Sequence, residues 1–220
     1  MEIVQRSANT GYATGPSGAA ASAKTVDAGV ADAGGGLDAQ SAAAAADSKP
    51  APLRSGITNC TPTDKAIEQG DVVRIELLGD MKQYRSNVTR TAVVGEPTQE
   101  QREIWKVMIG AREACKAMLK PGTAVADLYR AYVKYLRDRN IEPTLKFLGH
   151  GIGQTIHEEP YITDTRTVVL APNITCTMEP LYMIPGRMGF HVEDMYRITP
   201  TGFEAITGSI TPNDELIRIG

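Results

Sequence analysis

The sequence has few cysteines, few histidines and no long apolar segment. Only three cysteines occur among the 220 residues, and no two of them have Cys-x-x-Cys spacing. This argues against a disulfide framework or a structural zinc site and is typical of a reducing compartment. No apolar run is long enough to span a membrane, and the first residues lack the apolar core of a signal peptide. We therefore expect a cytoplasmic protein.

The charge balance gives no sign of a nucleic-acid binder. Lysine and arginine together number 23 against 26 acidic residues, which gives a net charge of −3, so nothing marks a surface that would attract a phosphate backbone. Hydrophobic residues make up 42% of the chain, which is enough for a buried core. The length suits one large domain or two small ones.

The first 50 residues differ in composition from the rest. They are mainly alanine, glycine, serine and aspartate, with a run of glycines at 34–36 and of alanines at 42–46. Such a segment has too little apolar surface to offset the entropy lost on ordering. We expect residues 1–50 to form a disordered Ala/Gly-rich tail and residues 51–220 to form the folded domain.

A first hairpin is predicted near the start of that domain. A β-rich run over 72–78 is followed, after a longer loop, by another over 84–94. Glu76 and Asn87 are equidistant from the loop centre, so regular pairing would place their Cβ atoms roughly 5 Å apart.

A second hairpin is predicted around Gly186, between two apolar strands. Glu179 and Glu193 are equidistant from that glycine, so they too are expected to face each other. Because side chains alternate along a strand, either Glu193 or Asp194 points to the same side as Glu179 and the other points away.

Two helices are predicted between the hairpins. Pro97-Thr98 opens the first and 120–122 ends it, while Thr123 can cap the second. Helices that follow strands in a block, rather than alternating with them, favour an α+β fold over a doubly wound α/β fold.

The stretch 149–160 holds His150 and His157, two of the three histidines. Its glycines allow the backbone to turn sharply and to approach a ligand closely, and no Lys-Ser/Thr follows that would indicate a phosphate loop. Neutral imidazole is the commonest side-chain ligand of transition metals. The alternative is a glycine-rich turn with two ordinary hydrogen-bonded histidines.

These groups are expected to meet at one end of a curved sheet: Glu76, Asn87, His150, Glu179 and Glu193. Carboxylate and imidazole together suit Mn, Fe, Co or Zn rather than Ca. Glu179 ends an apolar strand, where a buried charge is costly unless it is paired or bound to a metal. The alternative is an edge glutamate that emerges into solvent.

Several motifs occur in a characteristic order: Gly70-Asp71-Val72-Val73, Thr89-Arg90-Thr91, Gly149-His150-Gly151-Ile152-Gly153, His157-Glu158-Glu159-Pro160, Met178-Glu179-Pro180, Val192-Glu193-Asp194 and Thr199-Pro200-Thr201-Gly202. Together they resemble, over roughly 52–210, the pita-bread peptidases: methionine and Xaa-Pro aminopeptidases, prolidase and creatinase. The resemblance implies an α+β fold with a curved antiparallel sheet and flanking helices. The tail stands where that family has helices, so the first lobe is expected to be incomplete.

The resemblance also implies a dinuclear metal site held by Asp, Asp, His, Glu and Glu. Carried over by motif, these ligands fall on Glu76, Asn87, His150, Glu179 and Glu193. Glu179 would then handle the proton of the attacking water, and His157 would bind substrate and stabilise the tetrahedral intermediate. His191, on the same strand face as Glu193, is a further candidate for substrate contact or an ordinary sheet histidine.

The chain departs from this pattern at Asn87, which is neutral, offers one oxygen and cannot bridge two metals. Two divalent ions bring four positive charges, whereas Glu76, Glu179 and Glu193 supply three negative ones. We therefore predict a weakened site, either mononuclear or empty. A substrate-binding histidine of the family is also missing from the region 59–62.

The leading hypothesis is a hydrolase of C–N bonds, similar to Xaa-Pro aminopeptidases and prolidases, with altered use of a divalent metal (Mn, Co, Fe or Zn). Its substrate would be a peptide or a small amide or amidine, with no nucleic acid and no membrane involved, and a homodimer is an open alternative. Because position 76 is a glutamate, a second hypothesis is a metal-independent, creatinase-like amidinohydrolase. A third is a catalytically inactive pita-bread module that binds a partner.

Overall fold

The computed structural model describes residues 22–24, 54–58, 66–208 and 214–220. Apart from a short strand at 22–24, the predicted tail lies outside the described residues, and so does the region 59–62. After a 3-10 turn at Arg54–Gly56, the chain forms two long strands, two helices and then a series of short strands. The elements are β1 (Ser22–Lys24), β2 (Val72–Met81), β3 (Tyr84–Val94), α1 (Gln99–Lys116), α2 (Val125–Arg137), β4 (Gly149–Gly151), β5 (Glu158–Ile162), β6 (Thr175–Met178), β7 (Leu181–Ile184), β8 (Met188–His191), β9 (Asp194–Ile198), β10 (Phe203–Ala205) and β11 (Ile217–Ile219).

The strands form two larger sheets and one separate ribbon. The first sheet has the order β1-β2-β3-β11, the second has the order β10-β9-β6-β4-β5, and β7 pairs with β8. All pairs are antiparallel except β11 with β3. Antiparallel strands with two intervening helices confirm the predicted α+β class.

The first hairpin exists, but its predicted register is wrong. β2 and β3 are joined by a tight turn whose two residues, Lys82 and Gln83, both have positive φ angles of 52° and 69°. This two-residue turn is shorter than the predicted loop. Glu76 therefore pairs with Thr89, while Asn87 lies two pairs further along, opposite Leu78. Since the error is two residues, it leaves every side chain on its predicted face, and Asn87 Nδ2 donates to Glu76 Oε1 diagonally at 3.0 Å.

The second hairpin has the predicted register. The turn is centred on Gly186, and Ile184 pairs with Met188. Beyond the ribbon, β6 and β9 continue with the same register, in which Met178 pairs with Asp194. Glu179 and Glu193 therefore occupy opposite positions, between the two paired segments.

Both helices begin close to where the sequence predicts, but the predicted cap of the second helix is wrong. Thr98 caps α1 in a capping box: its side chain accepts from Gln101 N at 3.2 Å, and Gln101 Oε1 accepts from Thr98 N at 2.8 Å. Thr123 does not cap α2, since its hydroxyl donates backwards to Met118 O at 2.8 Å, after the end of α1. The N–H of Val125 donates instead to Val168 O at 3.0 Å.

The helices cover one face of the second sheet. Trp105 and Met108 of α1 and Leu128 and Tyr132 of α2 are buried with Phe190 in one hydrophobic cluster. On β6 and β9 the even-numbered side chains face this cluster, so the odd-numbered ones face the opposite side. That opposite side carries Glu179 and Glu193. Within the described residues, none of the helices has the length and apolar character needed to cross a membrane.

Candidate functional site

His150 lies on β4, the strand next to the edge strand β5 of the second sheet. The sequence predicts a turn at this glycine run, and the structure corrects that to a short, bulged strand between β6 and β5. The glycines are needed for close approach: a Cβ on Gly149 would collide with the carbonyl of Thr177, and one on Gly151 with the carbonyl of Glu159. Three backbones are thus packed tightly around a fully buried imidazole.

The hydrogen bond at Nδ1 of His150 determines whether its Nε2 can act as a metal ligand. Its Nδ1 lies 2.8 Å from the carbonyl oxygen of Gly151. A carbonyl oxygen only accepts hydrogen bonds, so Nδ1 carries a proton, and the neutral form of the ring presents the lone pair of Nε2. Without a cation, burial lowers the pKa of His150, but the neighbouring Glu179 outweighs burial and raises it. Nε2 lies 3.1 Å from Glu179 Oε1 and 3.9 Å from Glu193 Oε1.

The geometry of these atoms fits a metal ion. Ligand atoms of His150, Glu179 and Glu193 all lie within 4.8 Å of one another. The approach of Glu179 to His150 is close, yet it lacks the direction of a hydrogen bond. Three buried atoms, His150 Nε2, Glu193 Oε1 and Asn87 Oδ1, have no hydrogen-bond partner among the residues that the structure describes. Each such atom costs about 1–3 kcal/mol, a cost that coordination to a cation would remove, and one imidazole with two carboxylates suits Mn, Fe, Co or Zn.

Neighbouring side chains hold the carboxylate groups of both glutamates. Thr89 Oγ1 donates to Glu193 Oε2 at 2.8 Å. Thr177 Oγ1 donates to Glu179 Oε1 at 3.1 Å, and His191 Nε2 lies 3.2 Å from Glu179 Oε2. These contacts fix the orientation of both carboxylates before any ligand arrives.

The electrostatics reflect several acidic groups in a buried space. Burial opposes ionisation of Glu179, but the hydrogen bond with His191 and the charges of His150 and His191 outweigh it and hold its pKa at about 2. Burial and the charges of Glu179 and Glu76 raise the pKa of Glu193 well above its usual value. Burial likewise raises the pKa of Glu76. Bringing a divalent cation to this group would relieve the repulsion between the carboxylates.

Glu76 and Asn87 stand beside this trio, on the first sheet. Asn87 is only 2% exposed, and its amide contact with Glu76 is the one described for the hairpin. Glu76 is close enough for the charges of His191 and Glu179 to affect its pKa. In the part of the chain that the structure describes, however, the compact set of ligand atoms is confined to His150, Glu179 and Glu193.

His157 also reaches the centre. Its ring centroid lies 4.2 Å from that of His150 in an edge-on arrangement. Burial and the neighbouring charge of His150 lower the pKa of His157, so its imidazole is neutral near pH 7. The loop that carries it is fastened to the first hairpin, because Arg85 N donates to Gly153 O at 2.7 Å. Both histidines predicted to contact substrate, His157 and His191, thus lie at the metal trio.

The sequence reasoning missed the two threonines that hold the carboxylates. Thr177 precedes Glu179 by two residues and so shares its face, which strand alternation could have indicated. Thr89 belongs to a motif used only for the family resemblance, and its contact with Glu193 joins residues 104 positions apart. The prediction that Glu193 and Asp194 point in opposite directions is confirmed, since Asp194 binds Arg112 of α1 on the helix side.

The chain is similar in sequence and in structure to known peptidases. The sequence pattern of metallopeptidase family M24 matches residues 26–200. The Xaa-Pro dipeptidase of Pyrococcus furiosus is 34% identical over 155 residues, covering 70% of this chain and 44% of that protein. Among solved structures, the prolidase from Pyrococcus furiosus superposes with a TM-score of 0.67 at 34% identity, covering 69% of this chain and 45% of that one. The Xaa-Pro dipeptidase from Bacillus anthracis gives a TM-score of 0.69 at 33% identity, with coverage of 76% and 46%. The chain thus spans less than half the length of these relatives.

Proposed function

The chain belongs to metallopeptidase family M24 and has its pita-bread fold, and from this premise we propose that it hydrolyses C–N bonds in Xaa-Pro peptides at a centre holding one divalent cation. The main support is the buried trio of His150, Glu179 and Glu193, with ligand atoms within 4.8 Å of one another. Further support comes from relatives named Xaa-Pro dipeptidase and prolidase.

In this proposal the metal is held by His150 Nε2 and by carboxylate oxygens of Glu179 and Glu193. A bound Mn, Co, Fe or Zn ion would polarise the scissile carbonyl and make water acidic enough to attack it. The protein's own contribution is a dry, rigid set of donors: all three ligands are at most 3% exposed, so little reorganisation accompanies binding.

Two further side chains would handle protons and charge. Glu179, which is ionised at neutral pH, would accept a proton from the attacking water. Its Oε2 lies 3.2 Å from His191 Nε2, a contact that would hold the carboxylate in place. Neutral His157, whose ring centroid is 4.2 Å from that of His150, would donate a hydrogen bond to the oxygen on which negative charge develops.

The restriction to one cation follows from the Glu76–Asn87 contact. Asn87 Nδ2 donates to Glu76 Oε1 at 3.0 Å, so an N–H group points at the carboxylate that a second cation would need. The amide of Asn87 leaves one neutral oxygen for coordination, where a carboxylate would supply two oxygens and a charge. The first sheet therefore offers one charged ligand, Glu76, and a second ion would be under-neutralised.

A direct experiment measures bound metal and turnover together. The purified chain is loaded with Mn²⁺, desalted and analysed by mass spectrometry, and Xaa-Pro dipeptides are then offered with and without a chelator. We expect one metal equivalent per chain and turnover that the chelator abolishes, with Glu179→Gln inactive. The absence of both bound metal and turnover would refute the proposal and would favour a binding module. Chelator-resistant turnover of a guanidino compound would assign the creatinase-like chemistry instead.

A further inference from the structure

Directly behind Glu193, on the helix side of the second sheet, lies a buried charged cluster. Asp194 accepts from Arg90 Nη2 at 2.8 Å, from Arg112 Nη1 at 3.1 Å and from Thr207 Oγ1 at 3.0 Å. Arg90 is 7% exposed, Arg112 4% and Asp194 1%. Burying such charges is costly, and a hydrophobic replacement of similar volume is often as stable. A stability role alone is therefore a weak explanation for the cluster.

Arg90 does more than neutralise Asp194. Its Nη1 donates to the backbone carbonyl of Glu193 at 2.8 Å and to that of Thr89 at 2.9 Å. Thr89 and Glu193 form an isolated bridge pair between the two sheets, with backbone N–O distances of 3.3 and 3.1 Å. One guanidinium thus binds both sides of the junction at which Glu193 stands. The pair is an isolated bridge, so no ladder between these two segments extends to either side of it in the described part of the chain.

Glu193 is therefore fixed at three points that all lead to the Thr89-Arg90 dipeptide. Its backbone pairs with Thr89, its carbonyl accepts from Arg90, and its Oε2 accepts from Thr89 Oγ1 at 2.8 Å. The remaining oxygen, Oε1, lies 3.9 Å from His150 Nε2 and is the atom offered to a cation. Metal–oxygen bonds of about 2.0–2.2 Å tolerate little displacement of that atom.

We propose that Arg90 is a positioning residue that holds Glu193 Oε1 in place for the metal centre, with Asp194 orienting its guanidinium. This inference rests on the proposed function. It makes Arg90 act through Glu193 and not on the substrate. Lysine at this position would keep the charge but could not reproduce the fork that reaches Asp194 and two backbone carbonyls at once.

The chain provides a matched control in Arg112. It is equally buried and binds the same aspartate, through Asp194 Oδ2. Its other described partner is Glu113, at 2.9 Å, and in the described part of the chain no hydrogen bond or ion pair joins it to Glu193. Arg90→Lys and Arg112→Lys should therefore both lower thermal stability, but only the first should disturb the ligand.

The experiment measures Mn²⁺ affinity by calorimetry for the wild type and both variants, alongside crystal structures. For Arg90→Lys we expect the Mn²⁺ Kd to rise by roughly 10- to 100-fold, as for other outer contacts of metal ligands. We also expect kcat to fall more than KM changes, and Glu193 Oε1 to move by about 1 Å relative to His150 Nε2, a displacement large enough to affect catalysis. Arg112→Lys should keep the wild-type Kd and the wild-type distance.

An unchanged Kd and distance in Arg90→Lys, or equal losses in both variants, would overturn the inference. If the wild type takes up no Mn²⁺, the proposed function fails, while the distance between Glu193 Oε1 and His150 Nε2 still decides the role of Arg90. Should Arg90→Lys not fold, Asp194→Asn replaces it, since this change weakens the ion pair that orients Arg90. It should raise the Mn²⁺ Kd above that of Arg112→Lys, and failure to do so would count equally against the inference.

Discussion

Replacing Asn87 by aspartate should create a second metal position at the expense of stability without metal. The change turns the 3.0 Å contact between Asn87 Nδ2 and Glu76 Oε1 into a contact between two carboxylates. Two such charges about 4 Å apart repel by about 4 kcal/mol at an effective dielectric constant near 20. Since either carboxylate can take up a proton, we expect about 2–4 kcal/mol of lost stability, or a Tm about 5–15 °C lower in chelator.

Metal should reverse this loss. Free Mn²⁺ at 100 times its Kd stabilises a protein by about 2.7 kcal/mol for each bound ion. A second ion therefore compensates most of the repulsion in Asn87→Asp, and its Tm should approach that of the wild type when Mn²⁺ is in excess. Mass spectrometry should find two metal equivalents in the variant against one in the wild type, with increased dipeptide turnover.

The thermal unfolding series has an internal control in the double variant Glu76→Gln with Asn87→Asp. It removes the paired negative charges, so it should recover wild-type stability in chelator without gaining the second ion. If Asn87→Asp alone melts at the wild-type temperature in chelator, or binds one ion as before, the account of the Glu76–Asn87 pair is wrong.

Three other substitutions test the centre and the strand that carries it. His157→Ala should lower kcat by roughly 10²–10³-fold, as loss of a donor to a developing oxyanion does, with metal content unchanged; equal kcat would remove His157 from the chemistry. Glu193→Gln should weaken Mn²⁺ binding at least about tenfold in calorimetry. It should not lower the Tm in chelator, because it removes a buried carboxylate that lies close to Glu179 and Glu76. A lower Tm would show that the carboxylate is stabilising. Gly149→Ala should lower the free energy of unfolding by about 1–3 kcal/mol in denaturant unfolding, because its Cβ meets the Thr177 carbonyl. Gly202→Ala should not lower it, since the space around Gly202 is open among the described residues. Equal effects of the two variants would mean that the strand can move aside.

The second hairpin shows what a sequence can specify about register. Glycine at the centre of a short, symmetric turn fixes which residues oppose each other, and Gly186 has the positive φ of 70° that favours glycine. The opposition of Glu179 and Glu193 follows from that one position. The approach of two of the five predicted ligands to each other could therefore be predicted without coordinates.

The first hairpin shows the limit. Its turn residues, Lys82 and Gln83, both adopt the left-handed conformation, although neither is the asparagine or glycine that usually signals a two-residue turn. The predicted loop was consequently too long and the register was wrong by two residues. The predicted contact between Glu76 and Asn87 still formed, because an even shift preserves the face of a strand.

Contacts between the sheets could not be predicted. The strand pattern around Thr89, Arg90 and Asp194 is a local property of the sequence. It does not show which strands meet in space. The ion pair between Arg90 and Asp194 joins residues 104 positions apart. The same limit explains why the backbone collisions that require Gly149 and Gly151 became visible only with the fold.

The two sheets contribute unequally to the centre. His150, Glu179 and Glu193 come from the second sheet or the segments that extend its strands, whereas Glu76 and Asn87 come from the first hairpin. Substitutions in the first hairpin can therefore remove ligands of one proposed ion and leave the ligands of the other unchanged. Under the proposed function, a lineage could pass from two-ion to one-ion chemistry through changes in this hairpin alone, without altering the second sheet.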